Sequence, residues 1–453
     1  MATNVVFIMT DNQSTWTLGC YGNEDIRTPN IDRLAEDGIR FSNAYCSNAV
    51  CSPNRATALT GLMPSQHGVH CWLGNEKPDA QMGPDAYNTI REFTSLPQIL
   101  SNSGYTCGLS GKWHLGDSIR PHEGFSYWFT IPKASSGNYY SAEAIWDGKV
   151  YREPRYLTDV ITEHALDFLK QNHEEPFFLY VPYNGPYGLG VQMTETHQNR
   201  HTAYYAEKEL PSFPREPIHP WLKANRHIIN NPVSIRGYAA AISGVDDGVG
   251  EILSALSKHG LDENTLVVFT SDHGLSGGHH GVWGMGDHSI PLHTFEDAIH
   301  VPLIFRHAGS IPAGVSFDGR TCNYDFFPSI LDYLGMADKL PDTLELPGKS
   351  YASALSGNEM EWDDVIFHEF ENTRMIRKDR WKYTRRHPDG PDELYDMQSD
   401  PGERNNLAME QKYSSIVEEL RAQLHEFFHR YADPQYDLWR GGRSKAGLML
   451  SSG

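Results

Sequence analysis

The sequence predicts an α/β fold with a large mixed, mainly parallel sheet sandwiched by helices and a smaller C-terminal α+β domain. Short apolar runs such as NVVFIM, PFFLYVPY and TLVVFTS alternate with amphipathic helical stretches along most of the chain. This alternation is typical of a parallel sheet that is covered on both faces. From about residue 360 the pattern changes to closely spaced strands and one long helix. We therefore expect a large domain over residues 1–360 and a small antiparallel sheet plus helix over 361–453.

The overall charge excludes some classes of partner. The chain has 453 residues, with 38 Lys and Arg against 58 Asp and Glu, so its net charge is −20. A nucleic-acid partner is not expected for such an acidic chain without a basic run. No apolar run reaches membrane-spanning length, so no membrane association is expected either. The chain as written shows no signal peptide, which predicts a cytoplasmic protein, or a periplasmic or secreted one if a leader was trimmed.

Two helices of the large domain can be placed from capping and periodicity. In TPNIDRLAEDG, Thr28 is the expected N-cap, Pro29 the first helical residue and Gly38 the stop. The segment YAAAISGVDDGVGEILSALSKHG is a second helix that ends at Gly260. Its apolar residues recur at helical spacing and predict one buried stripe.

A third helix raises the question of what a cysteine does at its start. In CSPNRATALTG, Ser52 is the expected N-cap and Pro53 the first helical residue, which places Cys51 just ahead of the helix. A free cysteine is most often a small buried hydrophobe. A helix N-terminus with a nearby arginine, here Arg55, also suits a thiolate nucleophile. This stretch contains no histidine base, so both interpretations stay open at this point.

Two strands end in side chains that can hold a metal ion. NVVFIMTDNQ leads into Asp11 and Asn12, and TLVVFTSDHG leads into Asp272 and His273. If both strands are parallel members of one sheet, their carboxyl ends meet at one edge, where ligands bind in open α/β sheets. Two carboxylates, an amide oxygen and one imidazole suit a hard divalent cation, with Ca²⁺ preferred and Mg²⁺ or Mn²⁺ as alternatives. Either pair alone would be a turn or loop cap, but two such strand ends favour a metal site.

The stretch GYTCGLSGKWHLG predicts a strand over 105–110 that is followed by Lys112 and His114. These two side chains are two residues apart, so an extended backbone directs them to the same side. Alone, such a pair on a glycine-flanked loop is usually only solvated.

The C-terminal segment is expected to form a small α+β domain. RMIRKDRWKYTRR and DELYDMQ indicate antiparallel strands joined by the turn HPDGPD. YSSIVEELRAQLHEFFHRY then indicates a helix with one apolar face.

Together these stretches resemble the type I sulfatases of the alkaline phosphatase superfamily. CSPNRATALTG matches the family motif Cys-x-Pro-x-Arg, and GYTCGLSGKWHLG is similar to the second family motif. RTPNIDRLAEDGIRFSNAY, LDENTLVVFTSDHG and DELYDMQSDPGERNNL also resemble family segments, so the resemblance covers nearly the whole chain. It implies an alkaline phosphatase-like sheet, with 1–360 as the catalytic domain, and a sulfuric ester hydrolase that acts on an aryl or carbohydrate sulfate.

The resemblance also implies roles for individual residues. Cys51 would be oxidised to Cα-formylglycine by a formylglycine-generating enzyme, and its hydrated aldehyde would attack sulfur, form a covalent sulfate ester and then expel sulfate. Arg55 would hold the metal-bound oxygen of residue 51. Lys112 would bind a sulfate oxygen, and His114 would accept a proton from the diol. The metal ligands would be Asp11, Asn12, Asp272 and His273, with residue 51 as a further ligand.

Two departures from the family pattern concern the leaving group. Tyr187 stands where the family has a histidine, and Met285 stands where it has a lysine. Another group must therefore protonate the leaving oxygen. The nearby stretch GGHHGVWGMGDHS offers His279, His280 and His288, of which His280 is the preferred acid and His288 the second. The expected substrate-binding residues are His280, His288 and Tyr187.

The same departures keep two alternative functions open. A phosphonate monoester or phosphodiester hydrolase would use the same nucleophile and metal clamp. A degenerate, non-catalytic binding protein is the less favoured alternative, because the residues of both family motifs remain. The sequence predicts neither the sulfate ester nor the oligomeric state.

Overall fold

A ten-stranded mixed sheet runs through the large part of the chain in this computed structural model, which describes residues 2–74, 82–83, 86–132 and 137–450. The strands of this sheet and of three smaller sheets are, in chain order, β1 (Asn4–Thr10), β2 (Ile39–Phe41), β3 (Ala44–Tyr45), β4 (Thr106–Gly111), β5 (Phe125–Thr130), β6 (Ala142–Trp146), β7 (Lys149–Glu153), β8 (Phe177–Pro182), β9 (Thr265–Ser271), β10 (Ser276–Gly277), β11 (Trp283–Gly284), β12 (Leu303–Arg306), β13 (Val315–Phe317), β14 (Thr321–Cys322), β15 (Val365–Phe370), β16 (Thr373–Lys378), β17 (Trp381–Arg386) and β18 (Glu393–Asp396).

Helices cover both faces of this sheet. The α-helices of the described chain, including α12 of the C-terminal part, are α1 (Pro29–Glu36), α2 (Cys51–Thr60), α3 (Pro64–His67), α4 (Leu96–Asn102), α5 (Leu157–Asn172), α6 (Val191–Glu195), α7 (Thr202–Tyr205), α8 (Pro232–Lys258), α9 (Glu296–Ile299), α10 (Phe326–Tyr333), α11 (Ala352–Leu355) and α12 (Ser414–Tyr431).

The centre of the large sheet is parallel. Its strand order is β13-β2-β12-β9-β1-β8-β4-β5-β6-β7, and the run from β9 to β5 is parallel throughout. Strand β1 pairs with β9 in a register that sets Thr10 opposite Ser271. The chain therefore leaves both strands at the same edge of the sheet.

Alternate residues of β1 enter two separate apolar cores. Phe7 packs in one core with residues of α2, α4 and α10, while Ile8 packs in the other with residues of α5 and α8. Every residue of β1 is buried, as expected for a strand that is covered on both faces. This arrangement confirms the predicted α/β class.

The C-terminal part contains a four-stranded antiparallel sheet of β15 to β18 with α12 packed on it. Leu420, Leu424 and Phe428 of the helix lie in the same apolar cluster as Ile376 and Tyr383 of the sheet. This confirms the smaller antiparallel domain. The boundary at residue 360 stays a prediction.

Two helix starts differ from the sequence-based expectation. Thr28 makes no side-chain cap for α1. Instead, the Asp246 carboxylate on α8 accepts hydrogen bonds from the backbone N–H groups of Asn30 (3.0 Å) and Ile31 (2.8 Å). Helix α2 begins at Cys51 itself, so the cysteine lies inside the first turn and not ahead of it.

No helix within the described ranges is long and apolar enough to cross a membrane.

Candidate active site

The parallel pairing of β1 and β9 brings two buried carboxylates together. Asp11 follows β1 and donates its backbone N–H to the Gly185 carbonyl at 3.1 Å. Asp272 follows β9 and donates its backbone N–H to the Thr10 carbonyl at 3.0 Å. Both side chains are fully shielded from solvent, with 0% exposure. Buried charges need partners, because desolvation of an isolated carboxylate is costly.

Arg55 of α2 is one of those partners. Its guanidinium donates to Asp272 Oδ2 at 2.7 Å, to Asp11 Oδ2 at 3.2 Å and to the Lys112 carbonyl at 2.9 Å. Burial alone would raise the pKa of Asp11, but the positive charges of Lys112 and Arg55 outweigh it and lower that pKa to about 2. The carboxylate therefore stays ionised and available to a cation.

Four donor atoms at this edge of the sheet fit a divalent metal ion. The ligand atoms of Asp11, Cys51, Asp272 and His273 all lie within 4.8 Å of one another, and all four residues are buried. His273 contacts the Gly274 carbonyl through Nδ1 at 2.9 Å. Its Nε2 lies 3.6 Å from Asp272 Oδ1 and 3.8 Å from Asp11 Oδ1. A metal-binding histidine is commonly oriented in this way, with its other ring nitrogen on a backbone carbonyl.

The charges around His273 support the same interpretation. Burial lowers its pKa, but the negative charge of Asp272 and the contact with Cys51 raise it to about 9. The pocket therefore attracts a positive charge at this position.

Asn12, the fourth predicted ligand, has hydrogen-bond partners of its own. Its φ is 71°, a left-handed conformation that asparagine tolerates better than most residues. The side-chain Oδ1 accepts from the Gly188 backbone N–H at 3.2 Å, and Nδ2 donates to the Gly274 carbonyl at 3.3 Å. An amide oxygen has two lone pairs, so Asn12 stays a predicted ligand.

The helix that carries Cys51 is held by polar contacts that the sequence does not reveal. Cys51 is 3% exposed. Ser52, predicted as the helix cap, instead accepts a hydrogen bond from the Leu73 backbone N–H at 3.1 Å. Asn54 donates from Nδ2 to the Val50 carbonyl at 2.8 Å. These contacts fix the first turn of α2 beside the carboxylates.

Lys112 enters the site through a backbone position that only glycine can occupy. Gly111 has a φ of +136°, and a Cβ there would lie 2.0 Å from the Pro182 carbonyl oxygen. The next residue, Lys112, donates its backbone N–H to that same carbonyl at 2.7 Å. Its Nζ then reaches Asp11 Oδ2 at 2.5 Å.

His114 is placed to accept a proton. Its Nε2 contacts the Leu73 carbonyl at 3.0 Å, which leaves Nδ1 buried and without a hydrogen-bond partner among the described residues. Burial and the positive charge of Lys112 lower the pKa of His114 well below its ordinary value. The ring is therefore neutral near pH 7.

The two departures from the family pattern have different surroundings. The Tyr187 ring centroid lies 5.7 Å from Lys112 Nζ, and burial raises the pKa of Tyr187 well above its ordinary value. Its hydroxyl therefore stays protonated. Met285 is 4% exposed and belongs to an apolar cluster that includes Phe370 and Leu292. At the position of the family lysine, this chain therefore has an apolar side chain that packs in the core.

The preferred acid, His280, contacts Phe295, Arg404 and Asp297. Its ring stacks on Phe295 at 3.9 Å between centroids, and its nitrogens lie 3.3 Å from Arg404 Nη1 and 3.5 Å from Asp297 Oδ1. Burial lowers its pKa to about 4. His279 packs against Trp16 with 4.7 Å between ring centroids. The His280 ring is therefore neutral near pH 7, and its assignment as the acid stays a prediction.

His288 lies beside a buried carboxylate. Its Nδ1 lies 2.6 Å from Asp287 Oδ1, and Asp287 Oδ2 accepts from Trp72 Nε1 at 3.2 Å. Burial would raise the pKa of Asp287, but the His288 ring holds it below its ordinary value. A lone aspartate gives no periodic signal, so sequence reasoning missed Asp287. The only cue was its position directly before a candidate histidine.

Two further contacts bring this pair to the wall of the site. The backbone N–H of Gly286 donates to the Ala49 carbonyl at 3.3 Å, two residues before Cys51. Trp72 adjoins Leu73, which contacts both Ser52 and His114. The segments around 49, 72 and 286 therefore lie next to one another beside residue 51.

A parallel sheet whose carboxyl edge gathers these acidic and imidazole donors beside two buried cations is the framework of a metal-dependent hydrolase of anionic esters. Residues 3–336 match the sulfatase family, and residues 281–430 match the C-terminal region of N-sulphoglucosamine sulphohydrolase. The chain belongs to the sulfatase family. It is a sulfuric ester hydrolase, which confirms the resemblance stated from its motifs.

Two curated relatives are similar along most of the chain. An N-acetylglucosamine-6-O-sulfatase of Bacteroides thetaiotaomicron is 27% identical, with 97% of this chain and 89% of that protein covered. An N-acetylgalactosamine-6-sulfatase of Rattus norvegicus is 30% identical, with 82% of this chain and 69% of that protein covered.

Solved structures show the same architecture. A protein in complex with its substrate D-glucosamine-2-N,6-O-disulfate superposes with a TM-score of 0.73 at 25% identity, covering 95% of this chain and 98% of that one. The phosphonate monoester hydrolase of Agrobacterium radiobacter superposes with a TM-score of 0.71 at 23% identity, covering 95% and 96%. The second likeness concerns the fold alone.

Proposed function

We propose that this sulfatase hydrolyses a carbohydrate sulfate, and that its substrate is the 6-O-sulfate ester of an N-acetylated amino sugar. The observation that carries the proposal is the buried group of Asp11, Cys51, Asp272 and His273, with ligand atoms within 4.8 Å of one another. The choice of sugar is supported by the two relatives, which are named for 6-sulfates of N-acetylglucosamine and N-acetylgalactosamine.

The metal ligands in this proposal are Asp11, Asn12, Asp272 and His273, with residue 51 beside them. Two carboxylates and an amide oxygen favour a hard cation, for which we propose Ca²⁺. When bound, the cation would supply Lewis-acid polarisation and neutralise negative charge on sulfate. Cys51 converted to formylglycine would supply a hydrated aldehyde as nucleophile.

Three residues of the chain position the reacting groups and accept a proton. Arg55 is fixed between the two carboxylates and, in this proposal, holds the oxygen of residue 51. Lys112 carries a positive charge for a sulfate oxygen. His114, neutral and with Nδ1 free of partners among the described residues, accepts a proton at that atom.

We assign protonation of the leaving oxygen to His288. Asp287 contacts Nδ1 at 2.6 Å, so it orients the ring and leaves Nε2 as the atom that faces the leaving oxygen in this proposal. Trp72 in turn fixes the Asp287 carboxylate. A carboxylate that orients an imidazole in this way is a recurrent device of acid–base catalysis. Tyr187, whose ring lies beside Lys112, is a further substrate contact in this proposal.

The function is tested by comparing kcat/KM across four substrates of the mature enzyme. These are N-acetylglucosamine 6-sulfate, an aryl sulfate, a phosphonate monoester and a phosphodiester. We expect the sugar sulfate to be turned over and both phosphorus esters to be at least about a hundredfold slower, which is a difference of about 2.7 kcal/mol in transition-state stabilisation. A phosphonate or phosphodiester that exceeds both sulfates would overturn the substrate assignment.

Replacement of a metal ligand should remove ion and activity together. Asp272→Asn keeps the shape of the side chain but removes a charge from the site. We expect metal content to fall from about one divalent ion per chain to below about 0.1, with at least about a hundredfold loss of kcat, because metal affinity depends on ligand charge. Elemental analysis of the purified proteins measures the first effect and turnover the second.

Asp262→Asn is a matched control for this experiment. Asp262 lies just before the opposite end of β9 and pairs with Arg306 at 3.0 Å. It should leave metal content unchanged. An active wild-type enzyme without a stoichiometric divalent ion contradicts the site, and stoichiometric Mg²⁺ or Mn²⁺ contradicts the choice of Ca²⁺.

The assignment of His288 predicts an effect that depends on the leaving group. His288→Ala should slow the sugar sulfate by about 10²–10³-fold, whereas an activated aryl sulfate, which leaves without protonation, should lose less than about fivefold. Asp287→Asn should give the same selective pattern at reduced size, together with a changed pH profile of kcat. Steady-state kinetics on both substrates measure these ratios.

His280→Ala is the control, because His280 is a buried histidine of the same segment and should affect both substrates alike. Equal losses on both substrates for His288→Ala would refute its role as the acid. A selective loss for His280→Ala would restore the sequence-based preference.

A further inference from the structure

A positively charged cavity of about 280 Å³ lies in the C-terminal domain, between the β16–β17 strands and α12. Its volume is near the lower end of the range for small-molecule sites, ~300 Å³. Four arginines and three histidines line it, and a single carboxylate, that of Asp437, faces them. Among the lining residues are Arg374, Arg385, Arg421, Arg440, His425 and His429.

The backbone concentrates these positive groups. Arg374 and Arg385 are direct partners across the antiparallel β16–β17 pair, an arrangement of like charges that destabilises a sheet. On α12, Arg421, His425 and His429 follow at intervals of four residues, which places them on one face. The chain as a whole has a net charge of −20, so the excess of positive groups in this cavity calls for an explanation.

Internal ion pairs neutralise only part of this charge. Arg374 contacts Glu369 and Asp437, both at 2.7 Å. Arg440 shares Asp437 at 2.5 Å, and Arg421 pairs with Asp392 at 3.2 Å. The four arginines of the cavity therefore have only these three carboxylates as ion-pair partners within the described residues.

Arg385 is the remaining cation. Among the described residues it has no ion-pair partner, and its guanidinium carbon lies 5.7 Å from the Trp439 ring centroid. The histidines add N–H donors in either protonation state.

An aromatic surface completes the cavity. The Trp439 ring stacks on His387 at 5.1 Å between centroids. Arg374 is held between two rings, 4.5 Å from the Trp439 centroid and 3.9 Å from that of Phe428. The Trp439 Nε1 atom is buried and has no hydrogen-bond partner within the described residues. A buried N–H donor without a partner is uncommon in proteins, and here it adds a donor beside the cationic wall.

We propose that this cavity is a second carbohydrate site, which binds the sulfate group and ring of a sulfated sugar residue other than the one being hydrolysed. Guanidinium groups recognise planar and tetrahedral oxyanions by charge-assisted hydrogen bonds, and Trp439 supplies an N–H donor and ring edge for the sugar. The choice of a sugar over a free anion rests on the proposed function, in which the substrate is a sulfated carbohydrate. The site retains a sulfated chain on the enzyme surface.

The test follows the cavity histidines directly and does not depend on turnover. Full-length protein with Cys51→Ala is treated with diethyl pyrocarbonate, with and without a sulfated heparin tetrasaccharide. Peptide mass spectrometry then gives the modification rate of each histidine. We expect saturating tetrasaccharide to slow modification of His425 and His429 at least about fivefold. His227, an exposed histidine outside the cavity, should be unaffected.

Arg385→Gln should weaken this protection, shifting the half-maximal tetrasaccharide concentration about tenfold upward, as expected for loss of a charged hydrogen bond. Arg421→Gln should act in the same direction. Arg33→Gln removes a 72% exposed arginine of α1 and is the matched control for charge. Unchanged protection in both cavity variants would overturn the proposal.

Two further probes decide what is bound. The desulfated tetrasaccharide should give no protection, and equal protection by it would overturn the role of sulfate. Inorganic sulfate at the same sulfate concentration should protect less, and equal protection would reduce the cavity to a bare anion site. Failure of the proposed function would appear instead as absent turnover of sugar sulfates by the unsubstituted enzyme, with protection intact.

Discussion

Cys51→Ala should abolish sulfate ester hydrolysis while the protein folds normally. We expect kcat to fall at least about a thousandfold, because removal of a nucleophile leaves only binding and electrostatic contributions. The fold should persist, since the change removes one sulfur atom from a helix that is held by Ser52, Asn54 and Arg55. Turnover of N-acetylglucosamine 6-sulfate and the circular dichroism spectrum measure the two effects.

The oxidation of residue 51 can also be measured directly in the unsubstituted enzyme. Peptide mass spectrometry of active preparations should find residue 51 as the aldehyde in at least part of the sample. Cys107→Ala, which alters another buried cysteine of the large domain, should leave turnover within about twofold. Full activity in a preparation whose residue 51 is entirely thiol would exclude the formylglycine mechanism.

Lys382→Met should cost about 3–5 kcal/mol of unfolding free energy, the usual effect of removing one partner from a buried ion pair. Lys382 lies on β17 and is fully buried. Its Nζ contacts Glu403 at 2.6 Å, Glu296 at 3.1 Å and the Thr294 carbonyl at 2.5 Å. The variant leaves two carboxylates facing each other without a cation. Urea denaturation measures the loss.

The pH dependence of this variant separates charge from packing. Burial raises the pKa of Glu403 above its ordinary value, and loss of Lys382 would raise it further. A carboxyl with a higher pKa in the folded state binds more protons there, so the variant should regain stability as pH falls from about 8 to about 5. Lys349→Met removes a lysine that is 58% exposed and should change stability by less than about 0.5 kcal/mol. A deficit independent of pH would indicate lost packing instead.

The positions of Asp11, Asp272 and His273 could be anticipated because strand periodicity is a local signal and parallel strands share an edge. The tertiary contacts of these residues could not be anticipated from the sequence. Arg55 lies only four residues from Cys51, yet its contact with both carboxylates depends on how α2 docks on the sheet. The expected cap at Ser52 was wrong for the same reason, since a distant N–H, that of Leu73, takes its hydroxyl.

The histidines of GGHHGVWGMGDHS show the limit of pattern reasoning most clearly. Their spacing does not distinguish His280 from His288, because short irregular segments have no periodicity to indicate which side chain faces inward. The structure separates them by their neighbours, Phe295 and Arg404 for one and Asp287 for the other. Asp287 itself is identified by its contacts with His288 and Trp72.

The burial of Cys51 constrains the order of events during biosynthesis. Its side chain is 3% exposed, and all ten residues of α2 are buried. On the proposal that residue 51 is oxidised, a modifying enzyme could not reach it after folding, so oxidation has to precede docking of α2 on the sheet. Chains that fold before being oxidised would then be permanently inactive. The yield of active enzyme in a heterologous host would therefore depend on the rate of oxidation relative to the rate of folding.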